Sequence, residues 1–137
     1  MKFSIDTCVV VDVLQKREPF YTFSHDALAL IAQREDIATL TAKALMDIHY
    51  LMRKYFHSEE AARAEIAKLI ELFEIESTIE SDCKAALRSE MSDFEDAAMS
   101  AAARRIGADF IVTRNVKDFA CSPVPAIMPD ELLNNRL

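Results

Sequence analysis

The sequence contains a single glycine, Gly107. Phosphate-binding loops of the G-x-G-x-x-G and G-x-x-x-x-G-K-[ST] types need several closely spaced glycines, so this scarcity rules out such a loop and argues against nucleotide binding by those routes. Histidine is also scarce. His25, His49 and His57 lack the i, i+4 spacing of a helical zinc pair, so we interpret them as surface or packing residues rather than metal ligands.

Long apolar runs and paired cysteines are missing as well. The three cysteines, Cys8, Cys83 and Cys121, are odd in number and widely spaced, which favours reduced thiols over a disulfide scaffold. No apolar run approaches the roughly 18 residues that a membrane span needs. Asp6 interrupts the N-terminal apolar stretch, so no signal peptide is visible. We therefore expect a cytoplasmic protein that has no membrane partner.

The chain has 137 residues, of which 51% are hydrophobic, and a formal net charge of −7. Its length and composition predict one globular domain spanning residues 1–137. The acidic balance argues mildly against binding nucleic acid by blanket phosphate neutralisation. It does not exclude a nuclease, because a metal ion held by acidic residues reverses their local sign.

Short apolar runs alternate with helical patterns along the chain. The predicted strands are Lys2–Ile5, Ile37–Thr41, 74–77, 110–113 and 126–128. Ser58 is predicted to cap the helix that follows it, and Ser92 with Glu95 has the spacing of a capping box. Gly107 stands where a helix needs a left-handed residue after its end. The alternation predicts an α/β fold, a Rossmann-like three-layer α/β/α sandwich around a short parallel sheet.

Polar side chains, most of them acidic, recur where predicted strands end or on helices that can face those ends. They are Asp6, Asp47, Asp93, Asp96, Asn115 and Asp118. The carboxyl ends of parallel strands share one edge of a sheet, and ligands bind in the crevice there. Carboxylates that meet at such an edge repel each other strongly, and a fold tolerates this when a divalent cation lies among them.

Each of these positions also has a purely structural interpretation. Asp6 has the residue type of an N-cap for the next helix, or of a phosphatase nucleophile, although Cys8 stands where a phosphatase usually carries a second Asp. Asp47 fits a solvated position at the boundary of an apolar face. The two acids that open the Ala-rich helix fit ordinary helix-dipole partners, and the polar residues after the fourth strand fit turn caps.

Taken together, these segments resemble the PIN domain, the nuclease domain of VapC-type toxins. The resemblance is carried by S-I-D-T at 4–7, by D-I-H-Y-L at 47–51 and above all by residues 92–118, which include D-F-E-D-A and G-A-D-F-I-V-T-R-N-V-K-D-F. The resemblance implies that Asp6, Asp47 and Asp96 are catalytic, metal-binding acids. It implies further roles for a catalytic Asn115, a metal-binding Asp118, an accessory Asp93 and an orienting hydroxyl at Thr113. Arg114, on the same loop, is the candidate contact to the substrate phosphate, and its structural alternative is a solvated loop charge.

The resemblance implies a Mg²⁺- or Mn²⁺-dependent ribonuclease that cuts single-stranded RNA, paired with an antitoxin. Three departures bear on activity. Cys8 replaces the usual Asn, Asp47 replaces the usual Glu, and Asn115 replaces a carboxylate. Two other functions stay open, a catalytically weak PIN module that acts by binding a partner and a metal-dependent phosphatase.

The predicted helices Tyr21–Gln33 and Ala42–Phe56 carry wide apolar faces. Several aromatic residues lie in or beside these helices, namely Phe20, Phe23, Tyr50, Tyr55 and Phe56. Aromatic residues are enriched at the buried centres of interfaces, and the family resemblance implies a homodimer, so we expect a homodimer joined through these helices. The alternative is that the aromatic side chains fill the core.

Overall fold

The computed structural model describes residues 1–135 and has a five-stranded parallel sheet at its centre. The strands are β1 (Lys2–Ile5), β2 (Ile37–Thr41), β3 (Glu74–Glu76), β4 (Phe110–Val112) and β5 (Ala126–Ile127). The helices are α1 (Thr7–Leu14), α2 (Tyr21–Gln33), α3 (Ala42–Phe56), α4 (Glu59–Leu72), α5 (Glu80–Arg88), α6 (Phe94–Arg105) and α7 (Pro129–Asn134). A 3₁₀ turn, Val116–Phe119, follows β4.

The strand order is β3-β2-β1-β4-β5, with β1 at the centre. Phe3 of β1 pairs with Ala38 of β2 on one side and with Phe110 of β4 on the other, both in parallel. From β1 the chain builds outward to β3 and then returns to add β4 and β5 on the opposite side. The order therefore reverses between β1 and β4, and in open parallel sheets ligands bind outside the carboxyl ends of the strands at this reversal.

Neighbouring residues of β4 show how the layers form. Val112 packs with Val10 and Ile48 in one core cluster, while Ile111 packs with Ala103 and Phe119 in another. Successive side chains of a strand point to opposite faces, so both faces of the sheet are buried. Helices α1 to α4 and α7 cover one face, and α5 and α6 cover the other. The predicted three-layer sandwich around a parallel sheet is confirmed.

The predicted helix ends can be compared with the structure. The Ser58 hydroxyl accepts a hydrogen bond from the Ala61 amide at 3.1 Å, and Gly107 has a φ of +72°, so both of these predictions are confirmed. The prediction that Ser92 caps α6 is wrong. Asp93 is the N-cap, because its backbone is extended and its carboxylate accepts from the Asp96 amide at 2.9 Å.

The five aromatic side chains on and beside α2 and α3 are exposed to solvent, with exposed fractions from 37% for Phe20 to 54% for Tyr50. The alternative that they fill the core is therefore wrong. The three cysteines are free thiols. Within residues 1–135, no helix combines the length and the apolar character that crossing a membrane requires.

Candidate active site

Asp6 directly follows β1, the central strand, and lies at the carboxyl edge of the sheet where the strand order reverses. Its backbone occupies the N-cap position of α1, yet its carboxylate makes no capping hydrogen bond. Instead, Oδ2 accepts a hydrogen bond of 2.7 Å from the Thr113 hydroxyl at the end of β4. The side chain is thus turned away from the helix and toward the crevice between β1 and β4.

Thr113 links Asp6 to the loop that follows β4. The Thr113 side chain is fully buried, and its hydroxyl donates to Asp6 while accepting from the Asn115 amide at 3.0 Å. The single Thr113 hydroxyl thereby hydrogen-bonds both to the Asp6 carboxylate after β1 and to the Asn115 amide of the loop. The contact links Thr113 to Asp6, and the orienting role of its hydroxyl stays a prediction.

Cys8 also contacts the Asp6 carboxylate. Its thiol donates to Asp6 Oδ2 with Sγ and Oδ2 3.4 Å apart, and Sγ lies 3.9 Å from Thr113 Oγ1. Burial first, and then the charge of Asp6, raise the pKa of this thiol to about 11, so the thiol stays protonated. The cysteine therefore supplies a weak polar contact at the position where it replaces the usual Asn.

Asp6, Asp47 and Asp96 line one cavity of about 260 Å³, although they come from β1, α3 and α6. Thr41, whose side chain caps α3, lies on the same wall. Small residues on α6, including Ala97 and Ala98, are buried and let the first turn of this helix approach the sheet. The structure thus brings together three of the acids that were predicted from separate segments.

The electrostatics of the cavity are clearest at Asp96. Burial first, and then the negative charges of Asp93, Asp6 and Asp118, raise the pKa of the Asp96 carboxyl from 3.8 to about 6. A shift of this origin means that the carboxylates are close enough to repel one another. Perturbed carboxyl groups in a cleft are typical of functional sites.

Lys43 was not among the predicted site residues, although it lines the same cavity. Its ammonium donates to Asp47 one helical turn away and to Glu95 of α6 at 3.0 Å. Partial burial lowers the pKa of Lys43, but the two carboxylates outweigh this and raise it. The i, i+4 spacing of Lys43 and Asp47 was readable from the sequence, whereas the contact across to α6 was not.

The other predicted acids lie beside the cavity. Asp118 in the 3₁₀ turn and Asn115 just before it are both exposed and do not line the cavity. Asp118 is nevertheless close enough to raise the Asp96 pKa. Asp93 caps α6 and acts on Asp96 through its charge.

Arg114 is engaged in the interior rather than at the cavity. Its guanidinium donates twice to the fully buried carboxylate of Asp12, from Nε at 2.6 Å and from Nη2 at 3.2 Å. Ser24 of α2 donates to the same carboxylate at 3.1 Å, and the Phe20 ring lies 4.0 Å below the guanidinium carbon. These contacts tie the loop after β4 to α1 and α2. A carboxylate within the apolar run of α1 was the sequence signal that we missed.

Carboxylate oxygens are the ligands that Mg²⁺ and Mn²⁺ prefer, so the donor types in the cavity fit such an ion. With all four acids ionised, the lining of Asp6, Asp47, Glu95, Asp96 and Lys43 has a formal charge of −3. Within residues 1–135, however, no three carboxylate, imidazole or thiol groups converge closely enough to hold a metal ion as they stand.

Comparison with known proteins places this geometry in context. The profile of the family described as PIN domain matches residues 2–117. No curated protein sequence matches the chain significantly.

Solved structures share the fold over nearly the whole chain. VapBC2 from Rickettsia felis, bound to a DNA fragment from its promoter, aligns with a TM-score of 0.72 and 17% identity, covering 93% of this chain and 98% of that one. A toxin–antitoxin complex from Klebsiella pneumoniae aligns with a TM-score of 0.68 and 22% identity, covering 92% and 96%. VapC20 from Mycobacterium tuberculosis, a toxin that cleaves the sarcin–ricin loop, aligns with a TM-score of 0.62 and 16% identity, covering 80% and 86%. At these identities the likeness establishes a common fold.

Proposed function

The chain belongs to the PIN domain family, and we propose that it is a Mg²⁺- or Mn²⁺-dependent endoribonuclease that cuts single-stranded RNA as the toxin of a toxin–antitoxin pair. The observation that carries this proposal is the cavity at the carboxyl edge of the sheet, which is lined by Asp6, Asp47 and Asp96 from three separate elements. The solved structures with this fold include a toxin that cleaves the sarcin–ricin loop, which supports RNA as the substrate class.

The charge of the cavity supports metal dependence. A phosphodiester is anionic, and a lining that carries a formal charge of −3 repels it unless a cation compensates. When bound among carboxylates, a divalent cation stabilises charge on the scissile phosphate and lowers the pKa of water to a value that permits hydrolysis near neutral pH. Asp6, Asp47 and Asp96 are the residues that would hold it, with Asp118 nearby on the 3₁₀ turn.

The protein's own side chains orient this site. Thr113 holds one oxygen of Asp6 through a 2.7 Å hydrogen bond, and the other oxygen accepts no hydrogen bond from residues 1–135. One carboxylate oxygen is thus fixed while the second stays available to a ligand. Thr113 also accepts from the Asn115 amide, so the loop that presents Asn115 and Asp118 is set relative to Asp6.

The test is cleavage of an unstructured RNA by the purified protein with Mn²⁺ or Mg²⁺, with and without a chelator. We expect cleavage that stops when the metal is removed. Asp6→Asn and Asp96→Asn should each lower the rate at least about 100-fold, since each removes an oxygen donor from the shared site. Asp130→Asn is the matched control, because Asp130 occupies the first turn of α7 and lies outside the cavity.

Wild-type rates for both cavity variants would show that the site is assigned wrongly. A protein that neither binds Mn²⁺ nor cuts RNA would instead be a module that acts by binding a partner. Phosphate release from small phosphoesters, with a phosphorylated Asp6, would identify a phosphatase.

An antitoxin and a second copy of the chain are the partners that we propose. Solved structures with this fold include toxin–antitoxin complexes, which supports the first. The second is supported by the solvent-exposed aromatic side chains on α3, since an exposed apolar surface is costly unless a partner covers it. Co-purification with the product of an adjacent gene tests the antitoxin directly.

A further inference from the structure

We propose that Lys43 is a tethered cation that competes with the divalent metal ion for the acidic cavity, so that metal binding requires Lys43 to release Asp47. This inference rests on the proposed function, since it takes the cavity as the metal site. Lys43 is not one of the predicted ligands, and in this proposal it lowers the affinity of the cavity for the metal ion.

The contacts of Lys43 carry the proposal. Its ammonium contacts one carboxylate on its own helix, Asp47, and a second on α6, Glu95, at 3.0 Å. Asp47 is one of the three acids that would hold the metal ion, and its Oδ2 accepts a hydrogen bond from Lys43. Among residues 1–135, Lys43 is also the only basic side chain that lines the cavity.

The position of Lys43 in the fold strengthens the argument. Helix α3 packs on α4, α1 and β2, whereas α6 packs on α5 and the 3₁₀ turn. The Lys43 bridge is therefore one of few links between α3 and α6, the two helices that face each other across the cavity. An ammonium in this place lowers the repulsion among the cavity carboxylates, and it does so by occupying a carboxylate that the metal ion needs.

In this proposal, the Lys43 contact also keeps Asp47 from joining the other two acids. The three acids line one cavity, yet within the described residues no three candidate ligands stand close enough to coordinate an ion together. Releasing Asp47 from Lys43 frees this carboxylate to turn toward Asp6 and Asp96. The cost of breaking the ion pair between Lys43 and Asp47 is then subtracted from the intrinsic affinity of the site for the metal ion.

The experiment measures binding of Mn²⁺ alone, by isothermal titration calorimetry, to the wild-type protein and to three variants. Lys43→Gln should bind Mn²⁺ about three- to tenfold more tightly, the range that the loss of one or two exposed ion pairs corresponds to. Lys43→Arg keeps the charge and should bind like the wild type. Lys84→Gln is the matched control, because Lys84 pairs with Glu80 at i, i+4 and 2.9 Å but lies outside the cavity.

Each result of the Mn²⁺ titrations either supports or overturns the proposed competition by Lys43. Tighter binding for Lys43→Gln alone supports the proposal, and so does binding by that variant when the wild type shows none. Equal or weaker binding for Lys43→Gln beside a wild type that binds Mn²⁺ overturns it and leaves the proposed function standing. The same tightening in Lys84→Gln also overturns it, because net charge would then be the cause. If neither the wild type nor Lys43→Gln binds Mn²⁺, the metal site itself is wrong and both proposals fall.

Discussion

Replacing Asp96 with asparagine should stabilise the metal-free protein at neutral pH. Burial, followed by the charges of neighbouring carboxylates, raises the pKa of the folded-state carboxyl from 3.8 to about 6. The folded protein therefore binds this proton more tightly than the unfolded chain does. Between pH 3.8 and about pH 6, the folded protein keeps this proton while the unfolded chain has lost it. The free energy of unfolding therefore falls as the pH rises through this range.

The magnitude follows from the size of the shift. One pKa unit corresponds to about 1.4 kcal/mol, so a shift from 3.8 to about 6 sets a ceiling of about 3 kcal/mol on the penalty at pH 7. Solvent reaches part of the carboxyl group and screens its neighbours, which brings the expected effect to about 1 kcal/mol. Asparagine keeps the shape of the side chain and removes the charge. The backbone amide that Asp93 caps is retained.

The assay is urea denaturation in a chelator at a series of pH values, comparing the free energies of unfolding of wild type and Asp96→Asn. The two proteins should be equally stable near pH 3.8 and should diverge to about 1 kcal/mol above pH 6, the variant being the more stable. Asp130→Asn is the control. Asp130 lies in the first turn of α7, so this variant measures the change in unfolding free energy when an ordinary helix-dipole charge is removed. A variant that is less stable than wild type at every pH would refute this reasoning and make Asp96 a favourable dipole partner. Excess Mn²⁺ should reverse the order, because the wild type gains binding energy that the variant lacks.

Three further predictions address the surroundings of the site. Thr113→Val should lower stability by about 1–2 kcal/mol, measured in urea, because it leaves the partly buried Asn115 amide and Asp6 without their hydroxyl partner. It should also lower RNA cleavage, and an unchanged rate would remove its orienting role. Asp12→Ala should cost about 2–3 kcal/mol of unfolding free energy, because it removes the carboxylate that accepts two hydrogen bonds from the partly exposed Arg114 guanidinium, and a loss below about 1 kcal/mol would contradict a stabilising ion pair. Light scattering should show a dimer that Tyr50→Ala weakens without lowering stability, whereas a monomer at tens of micromolar would exclude this surface.

Local sequence signals predict the elements well because those signals act over a few residues. The predicted bounds of β2 (Ile37–Thr41), α2 (Tyr21–Gln33) and α3 (Ala42–Phe56) are those of the structure. The position of the α6 cap was missed by one residue, since Ser92 and Asp93 are both good capping residues and the backbone geometry decides between them. Strand order cannot be read locally, because it depends on contacts such as that between Phe3 and Phe110.

In the candidate site too, the sequence indicates the residues but not the contacts that they make. The resemblance to the PIN domain indicated Asp6, Asp47 and Asp96, and the topology brings these three to one cavity. The sequence does not reveal which side chain hydrogen-bonds to each carboxylate. Asp6 bonds to Thr113 instead of capping α1, and Asp47 bonds to Lys43, because these choices depend on side chains that approach from other elements.

Arg114, the predicted contact to the substrate phosphate, has another partner in the structure. Its guanidinium is held by Asp12, a residue 102 positions earlier in the chain whose carboxylate is fully buried. Withdrawing Arg114 to bind RNA would leave that buried charge without its cation, which costs several kcal/mol. Within the described residues that line the cavity, this leaves Lys43 as the basic group facing four carboxylates, and the lining has a formal charge of −3 with Lys43 included. One ammonium cannot both neutralise the acids and attract a phosphodiester, so substrate binding at this edge of the sheet depends on a second source of positive charge, which is the role that the proposed metal ion fills.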